Sequence, residues 1–452
     1  MSDISPPRSG SIEDIGQPWY QLVSRDQWRV WFGSTLGWLF DGYEGFAIVL
    51  VLIPALTTLM PGADVGTMAT HGGYIISAML FGWATGGVLG GISADYLGRK
   101  RTMIISILTY AIFTGLSGFA TSWEMLLVFR FLTGIGIGAE WANGTSLIAE
   151  TWAQRARPIG LGLMQSGYGW GQLIAAGLWF WLATLSPEAW RYLFFFGALP
   201  AIFTLYIRRK MNESERWEAA ATERASLQAE REAGAELDPD QEKRSRFSLS
   251  YIFSVPQLRK NLLFTTALSF ATVVGFWAIS TWIPSQAQTL AETEGSASPA
   301  RAAAIVGLWY TVGAIVGYIL IGFIADWVRR KPIIAIWFLG SVIMTPITFF
   351  VPDSVLTLYW LALINGFFSL GQFAWMPIYL PELFPTLARG TASSFVFSST
   401  RYLAAFGPLV SGILVAAFGG YGPAATIFSL VYLLALPALL FLPETTGQPL
   451  PE

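Results

Sequence analysis

Most of the twelve apolar stretches along the 452-residue chain are long enough to cross a lipid bilayer. A membrane helix needs about 20 mainly apolar residues, and the frequent Gly and Pro inside the stretches are compatible with packed membrane helices. The pattern predicts an all-α membrane protein with twelve transmembrane helices, called spans 1 to 12 below. They lie near 28–57, 73–93, 102–120, 124–149, 158–183, 190–207, 261–287, 302–325, 333–351, 355–380, 391–417 and 421–442.

A highly charged segment near residues 208–260 separates span 6 from span 7. Its middle is rich in Glu, Arg and Ala, which predicts a soluble helix or a flexible linker. The chain therefore divides into two sets of six spans joined by this segment. The predicted divisions are a tail at 1–27, a six-helix half at 28–207, the linker at 208–260, a second six-helix half at 261–442 and a tail at 443–452.

Composition excludes several functional classes. Charged residues make up 12% of the chain and hydrophobic residues 54%, whereas soluble proteins carry roughly 25% charged residues. The net charge of −2 gives no reason to expect nucleic-acid binding. The chain has no Cys and a single His, His71, so neither a thiol nucleophile nor a His-pair metal centre is expected. We predict no enzyme activity, no cofactor and no metal.

The distribution of Lys and Arg predicts the orientation in the membrane. If the N-terminus is cytoplasmic, all but four of the 27 basic residues fall on the cytoplasmic side. The exceptions are Arg191 and Arg301 outside, and Arg130 and Arg401 within spans. We therefore expect a multi-pass protein of the cell (inner or plasma) membrane, with both termini in the cytoplasm and the lipid bilayer as a partner.

The two halves repeat each other at a nearly constant spacing along the chain. Three separate loops carry the repeat: those after spans 2 and 8, after spans 4 and 10, and after spans 6 and 12. The matched pairs are Gly91/Gly322, Asp95/Asp326, Arg99/Arg330, Lys100/Lys331, Glu150/Glu382, Arg157/Arg389 and Glu213/Glu444. A parallel six-plus-six duplication is the architecture of major facilitator transporters.

The loop sequence GGISADYLGRKR resembles the signature of the major facilitator superfamily, and the resemblance extends along nearly the whole chain. RFLTGIGIGAEWANGTSLIAETW, which begins at Arg130, is similar to span 4 of sialate:proton symporters and lactate permeases. The box Phe40-Asp41-Gly42-Tyr43-Glu44 resembles one shared with aromatic acid:proton symporters, and Arg401 with Gly407-Pro408 resembles their span 11. The resemblance implies the major facilitator fold, with two pseudo-symmetric halves. Glu44, Ala139 and Leu403 depart from the usual residues, which leaves the substrate open.

Ionisable residues within spans indicate function, because hydrocarbon does not solvate them. The first half contains Asp41, Glu44, Arg130 and Glu140, which we predict to couple transport to protons. Counted along the rise of an α-helix, Glu44 and Arg130 lie at matching depths and can pair if spans 1 and 4 are neighbours. Asp41 lies one turn away on the same face, so Arg130 could alternate between two carboxylates. The alternative for Glu44 and Arg130 is a static pair that holds spans 1 and 4 together. Glu140 either relays protons or only pairs with another residue of the protein.

Arg401 lies near the middle of span 11, and the second half places no acid at that level. Transporters of this architecture bind substrate at the midplane, and a carboxylate satisfies a guanidinium through two hydrogen bonds. The alternative is that Asp41 or Glu140 pairs with Arg401 across the halves. Further candidate pocket residues, for each of which helix packing is an equal explanation, are Tyr43, Asn143, Gln165, Tyr168, Gln172, Trp277, Trp282, Asn365, Gln372 and Trp375.

The repeated loops form a candidate gate. Gly91 permits a close approach of spans 2 and 3, and Asp95 is expected at the N-terminus of span 11, where the helix dipole favours an anion. The resemblance implies that this contact holds the halves together while the site is open outwards. The gating set is Gly91, Asp95, Gly98, Arg99, Glu150, Arg157, Gly322, Asp326, Arg330, Glu382 and Arg389. The alternative is that basic loops only fix the topology.

Together these features predict a secondary active transporter. We expect proton-coupled uptake of a small organic anion by alternating access, most simply a monocarboxylate such as a lactate-like, sialate-like or aromatic acid, by a protein that functions as a monomer. The alternatives are a sugar or polyol porter, an organic-anion exchanger, and a nutrient sensor that does not transport.

Overall fold

The computed structural model describes residues 17–280, 282–296, 298–406, 415 and 417–452. Every regular element within these ranges is helical. A short 3₁₀ helix, Trp19–Leu22, precedes span 1, and Ser24 and Gln27 form a capping box at the start of that span. Gly407 and Pro408 lie outside the described residues.

The first half is built from six spans, of which two are interrupted. Span 4 breaks at 139–140 and span 6 at 198–199. The spans are Arg25–Leu59, Val65–Leu97, Arg99–Ser117, Trp123–Gly138 with Trp141–Thr151, Arg157–Leu182, and Trp190–Gly197 with Pro200–Lys210.

The charged segment between the halves is helical in three pieces. They are Glu215–Glu232, which we call the linker helix, and the shorter Pro239–Arg244 and Ser248–Ser254. Ser214 caps the linker helix by accepting a hydrogen bond from the Trp217 N–H. The sequence was compatible with either a soluble helix or a flexible linker in this segment, and the structure has helices there.

The second half repeats the arrangement with more interruptions. Its spans begin at Pro256, Pro299, Arg330, Val355, Arg389 and Tyr421. The helices are Pro256–Ser280 with Ile283–Thr293, Pro299–Val328, Arg330–Phe350, Val355–Ser369 continued by Gly371–Ala374, Trp375–Tyr379 and Leu380–Glu382, Arg389–Ser399 with Arg401–Ala404, and Tyr421–Ser429 continued by Leu430–Leu434 and Ala435–Phe441.

Seven of the described helical segments are both long and apolar enough to cross a membrane. They are Arg25–Leu59, Gly66–Leu97, Trp123–Thr151, Pro299–Val328, Arg330–Phe350, Val355–Glu382 and Tyr421–Phe441. The other five predicted spans contain helices in the described residues but are not among these segments.

Glycines at matching positions bring spans together in both halves. A Cβ at Gly82 or Gly86 of span 2 would overlap the backbone of span 4, and one at Gly313 or Gly317 of span 8 would overlap that of span 10. Gly313 and Gly317 are the counterparts of Gly82 and Gly86 in the sequence repeat. The close approaches are those that small residues permit between membrane helices.

The two halves meet mainly where span 2 packs on span 11 and span 5 packs on span 8. Gly91 belongs to this interface, because its nearest neighbours are Gly390 and Ser394 of span 11. The prediction that Gly91 permits a close approach of spans 2 and 3 is therefore wrong. Gly322 correspondingly faces Pro158 and Gly162 of span 5. Each repeated glycine therefore allows the two halves to approach each other. The sequence repeat places a glycine at the same position of each half but does not show which helix that glycine contacts.

Gly98 and Arg329 connect spans 2 to 3 and 8 to 9 in the same unusual backbone conformation. Gly98 has φ 99° and ψ 154°, and Arg329 has φ 71° and ψ 158°. This region is occupied almost only by glycine, and a residue with a Cβ costs about 1–3 kcal/mol there. The second half therefore carries backbone strain that the first half avoids.

We expect Arg329→Gly to raise the thermal unfolding temperature of the detergent-solubilised protein. Relief of strain should outweigh the roughly 0.5–1 kcal/mol that glycine loses through greater freedom of the unfolded chain. Lys331→Gly, in helical backbone two residues away, is the matched control and should lower the temperature. An Arg329→Gly protein that unfolds at or below the parent temperature would contradict the strain.

Candidate functional site

Glu44 and Arg130 form a buried ion pair between spans 1 and 4. Arg130 Nη1 lies 3.3 Å from Glu44 Oε2, and both side chains are inaccessible to solvent. The Thr114 hydroxyl donates to the same carboxylate oxygen at 2.7 Å, while Arg130 donates to Ser117 Oγ from Nε at 3.0 Å and from Nη2 at 2.7 Å. The guanidinium also lies 4.5 Å from the ring centre of Phe194. The predicted pairing is present, and most of its hydrogen-bonding groups are satisfied.

Gly197 makes room for this pair. It ends the first helix of span 6, and a Cβ there would overlap Glu44 Oε1. Nothing in the sequence connects Gly197 with a carboxylate in span 1, because only the packing of span 6 against span 1 brings them together.

Asp41 and Glu140 form a second acidic group in the first half. Both are buried, and their carboxyl groups face each other close to the phenol of Tyr110. Glu140 interacts with the Asp41 carboxyl and with the Tyr110 hydroxyl, and the two acids are otherwise without a hydrogen-bond partner among the described residues. Gly37 of span 1 accommodates Glu140, since a Cβ there would overlap Glu140 Oε1. Glu140 therefore lies beside Asp41 and has no basic partner in the described structure.

Arg401 is buried at the interface of the halves. Its guanidinium lies 3.8 Å from the ring centre of Phe397 and 4.6 Å from that of Trp83, and Nη1 donates to the Phe397 carbonyl. Within the described ranges, the titratable group that interacts with it is the phenol of Tyr168. Tyr168 also interacts with Asp41. The alternative pairing of Arg401 with Asp41 or Glu140 is not formed here.

Arg401 borders a small cavity of about 30 Å³ between the halves. That volume holds one or two water molecules and no organic solute. Of the predicted pocket residues, Gln165, Tyr168, Trp277 and Arg401 line it. The full lining is Trp38, Trp83, Gln165, Tyr168, Phe276, Trp277, Tyr318, Leu370, Phe373, Phe397 and Arg401. The sequence missed most of the aromatic residues, because hydropathy does not show which helix face points inward.

Three predicted pocket residues of the first half lie away from this cavity. Tyr43 donates to the Leu193 carbonyl at 2.7 Å, and Asn143 donates to the Ala139 carbonyl at 2.5 Å. Gln172 accepts a hydrogen bond of 3.4 Å from Thr311 of span 8. Each of these side chains makes a hydrogen bond within packed helices, although Asn143 Oδ1 has no partner among the described residues.

The same correction applies to four residues of the second half. Asn365 donates to Thr348 Oγ1, Gln372 to the Ser369 carbonyl, and Trp375 to Thr272 Oγ1. Trp282 packs edge-on against Phe428. None of the four lines the cavity. Asn365, Trp375 and Trp282 join spans of the second half, whereas the Gln372 hydrogen bond lies within span 10. Among the described residues, no group of His, Asp and Glu has a metal-binding arrangement.

Asp95 joins the halves at the end of the bundle that carries the basic loops, which we call the basic end. Its carboxylate accepts from the Gly390 N–H at 3.1 Å, the Thr391 N–H at 2.9 Å and the Thr391 hydroxyl at 2.6 Å. These donors form the first turn of span 11, so the predicted position of Asp95 is confirmed. Arg99 lies 3.2 Å from Asp95.

Glu150 provides the second link between the halves. It lies 3.2 Å from Arg99 of its own half and 2.8 Å from Arg389 of the other half. Arg389 also donates to the carbonyls of Pro381 and Pro451. All three ionic side chains are fully buried. The basic end is therefore closed by a continuous network.

The second half does not reproduce the Asp95 contact. Arg330 pairs with Glu382 and with Asp326, each at 2.8 Å, but Asp326 is one-third exposed and accepts no hydrogen bond from span 5. The residue that corresponds to Gly390 is Pro158, which has no N–H to donate. Arg157 interacts with Glu382 instead. The predicted mirror of the gate therefore lacks its central hydrogen bonds.

In the third repeated loop, which follows spans 6 and 12, a glutamate caps the start of a neighbouring helix. Glu213 Oε2 accepts from the Lys100 N–H at 3.1 Å, and Glu444 accepts from the Arg330 and Lys331 N–H groups at 3.0 and 3.1 Å. Burial raises the pKa of Glu213. Burial also acts to raise the pKa of Glu444, but hydrogen bonds from Thr446 and these backbone groups outweigh it and lower the pKa. Each acid thus anchors the loop between two spans.

The linker helix takes part in the closed basic end through Arg224, which sequence reasoning missed. Its guanidinium is buried, lies 4.6 Å from the Tyr96 ring centre, and donates to the Asp95 carbonyl at 3.0 Å and to the Leu387 carbonyl. Asp95 belongs to the first half and Leu387 to the second. Trp217 donates to the same Asp95 carbonyl at 3.1 Å. One side chain of the linker therefore spans both halves.

Arg224→Ala should loosen the basic end, because two carbonyls lose their shared donor. We expect the alkylation rate of a reporter cysteine at the buried Ser393 of span 11 to rise several-fold. The chain has no native cysteine, so the signal comes from the reporter alone. Arg231→Ala, at an exposed position on the same helix, is the matched control. Equal rates in the two variants would show that Arg224 does not hold the halves.

Comparison with known proteins gives one consistent result. The family model described as "Sugar (and other) transporter" matches residues 30–452. A probable 4-methylmuconolactone transporter of Cupriavidus pinatubonensis is 29% identical, with 95% of this chain and 93% of the relative aligned. The sialic acid transporter NanX of Escherichia coli is 27% identical over 94% and 95% of the two chains.

A solved structure has the same fold. The major facilitator superfamily proton:xylose symporter XylE, bound to 6-bromo-6-deoxy-D-glucose, aligns with a TM-score of 0.75. The alignment covers 94% of this chain and 98% of XylE at 21% sequence identity. The predicted all-helical major facilitator fold is confirmed.

Proposed function

We propose that this chain, which belongs to the sugar (and other) transporter family of the major facilitator superfamily, imports a small organic anion together with protons. The family is one of transporters and not of enzymes. The substrate class that we favour is a monocarboxylate, and an aromatic or otherwise planar acid fits the site best. Two relatives of this chain are named for 4-methylmuconolactone and for sialic acid.

The observation that carries the proposal is the state of Arg401. Its guanidinium is buried between the halves, and no carboxylate of the described residues pairs with it. A buried charge without a counter-charge is strongly unfavourable. A substrate carboxylate would supply that counter-charge through two parallel hydrogen bonds.

The rest of the cavity suits an apolar, planar substituent. Trp38, Trp83, Tyr168 and Phe397 surround the guanidinium with aromatic faces and edges. Such side chains stack on planar groups. Because the cavity holds only about 30 Å³, the substrate enters and leaves only when the halves separate. The network around Asp95 and Glu150 is the contact that must open on the basic side.

A sugar or polyol is the second candidate, favoured by the family description and by the XylE fold. Hydroxyl groups could use Gln165 and Tyr318, which both line the cavity. A neutral solute, however, leaves the charge of Arg401 uncompensated. The uptake experiment described next also distinguishes an organic-anion exchanger and a nutrient sensor that does not transport.

Purified protein in liposomes should take up a labelled carboxylate faster, and concentrate it, when the outside is more acidic than the inside. We expect Arg401→Lys to raise the half-saturating concentration roughly ten- to hundred-fold, which corresponds to the loss of one charge-assisted hydrogen bond of about 1.5–3 kcal/mol. An ammonium keeps the charge but cannot form the planar two-point contact. Direct binding by calorimetry checks that affinity, and not folding, has changed.

Arg301→Lys is the matched control, because Arg301 is exposed and does not line the cavity. Uptake that requires counter-substrate inside the liposome would indicate an exchanger, and uptake of sugars alone would indicate the sugar porter. Either result, or an Arg401→Lys protein with parental affinity, would overturn the proposal. Binding without any uptake would indicate a sensor.

A further inference from the structure

We propose that the protein binds an anionic phospholipid at one defined place on its outer surface, with an acyl chain in a groove of the second half and the phosphate beside Arg259 and Lys260. The groove, which we call the lateral groove, lies between spans 7, 11 and 12 and has a volume of about 520 Å³. It is distinct from the cavity of about 30 Å³ beside Arg401, because the two share no lining residue. The inference therefore does not depend on the proposed transport function.

The lateral groove has the surface chemistry of a site for a hydrocarbon chain. All but three of its lining residues are apolar, and the three exceptions carry only a neutral hydroxyl group. The apolar walls include Phe264, Ala267 and Phe270 of span 7, Leu403 of span 11, and Leu434 and Phe441 of span 12. The last three residues are each more than half exposed, so the groove opens on the outside of the helix bundle. Its volume is within the roughly 300–1,000 Å³ that ligand sites usually have.

The lateral groove begins at the basic end and extends about one lipid leaflet into the membrane. Near its entrance, Phe264 in the third turn of span 7 stacks on Phe441 at the end of span 12, with ring centres 4.6 Å apart. Phe270 lies ten residues beyond Lys260, which corresponds to about 15 Å along an α-helix. The hydrocarbon core of a bilayer is about 30 Å thick. An acyl chain in the groove would therefore belong to a lipid whose headgroup lies at the basic end.

Two basic side chains at this entrance favour a lipid with a negative charge. Arg259 and Lys260 are exposed near the start of span 7, and no carboxylate of the described residues forms an ion pair with either. Arg330, at the start of span 9, is instead paired with Glu382. Lys260 Nζ lies 5.8 Å from the ring centre of Phe441, a wall of the groove. Basic residues between membrane helices at headgroup level bind anionic lipid headgroups.

An occupied groove would support span 11 on the side opposite to the Arg401 cavity. Span 11 breaks at Thr400, which lines the groove. In the short helix that follows, Leu403 lines the groove and is 57% exposed, whereas Arg401 lines the cavity and is 5% exposed. Two residues correspond to about 200° around an α-helix, so these side chains lie on opposite faces. A bound acyl chain therefore packs against the outer face of the helix that presents Arg401, and lipid binding should stabilise the protein.

The headgroup is tested with delipidated protein in micelles that contain equal amounts of phosphatidylglycerol and phosphatidylcholine with identical acyl chains. Native mass spectrometry should show one phosphatidylglycerol retained in preference to phosphatidylcholine. Lys260→Gln should lower that preference about five-fold, the effect of one basic residue near a membrane surface. Arg101→Gln removes an exposed basic residue near the start of span 3 and is the matched control. Equal binding of the two lipids by the parent, or equal losses in the two variants, would overturn the inference and leave the basic residues a role in topology alone.

The acyl-chain site is tested with Ala267→Trp, which places an indole in the groove. Occupancy by both lipids should fall in this variant but not in Ile343→Trp, at an exposed position of span 9 that does not line the groove. Added phosphatidylglycerol should raise the thermal unfolding temperature of the parent and of Ile343→Trp, but not that of Ala267→Trp. If Ala267→Trp does not fold, Lys260→Gln serves in its place and should show a smaller rise than the parent. No rise in the parent, or the full rise in the groove variant, would contradict the inference. Neither measurement requires a transported substrate.

Discussion

A charge inside a membrane protein must find its counter-charge within the protein, because hydrocarbon provides none. In this chain the constraint is met in three ways. Glu44 and Arg130 neutralise each other; Asp41 and Glu140 face each other without a cation; and Arg401 has only aromatic rings, a carbonyl and a phenol around it among the described residues. The Glu44–Arg130 pair is neutral without a further partner. A proton would reduce the repulsion between Asp41 and Glu140, and an anion would neutralise Arg401. We propose that substrate binding and proton coupling depend on these two incomplete sites.

The duplicated halves share their packing but not their chemistry. Glycines at corresponding positions of the repeat bring spans together in each half, yet the buried acids Asp41, Glu44 and Glu140 lie in the first half and the cation that lines the cavity lies in the second. The basic end is also unequal. Asp95 binds the first turn of span 11, whereas Pro158 prevents the same contact with Asp326. In the proposed transport cycle, opening on this side would break the contacts of Asp95, Glu150 and Arg224.

The sequence predicts whatever depends on distance along a helix. Apolar length predicted the spans, depth predicted the Glu44–Arg130 pair, and the repeated loop predicted Asp95 at span 11. Prediction fails where the rotation or packing of helices decides the contact. Tyr43 and Trp375 point into their own halves, Gly197 and Gly37 lie against carboxyl groups from other segments, and Arg224 in a charged linker is buried between halves. No local pattern distinguishes these residues from their neighbours.

The central claim is that the substrate completes the charge balance of Arg401. Its most direct test is calorimetric titration of the purified protein with a carboxylate that it transports and with the primary amide of that acid. The two ligands have nearly the same shape, and only the acid carries the counter-charge. The account predicts that the amide binds at least about ten-fold more weakly, the loss expected for one hydrogen bond between charged groups. Equal affinities for the acid and the amide would contradict it.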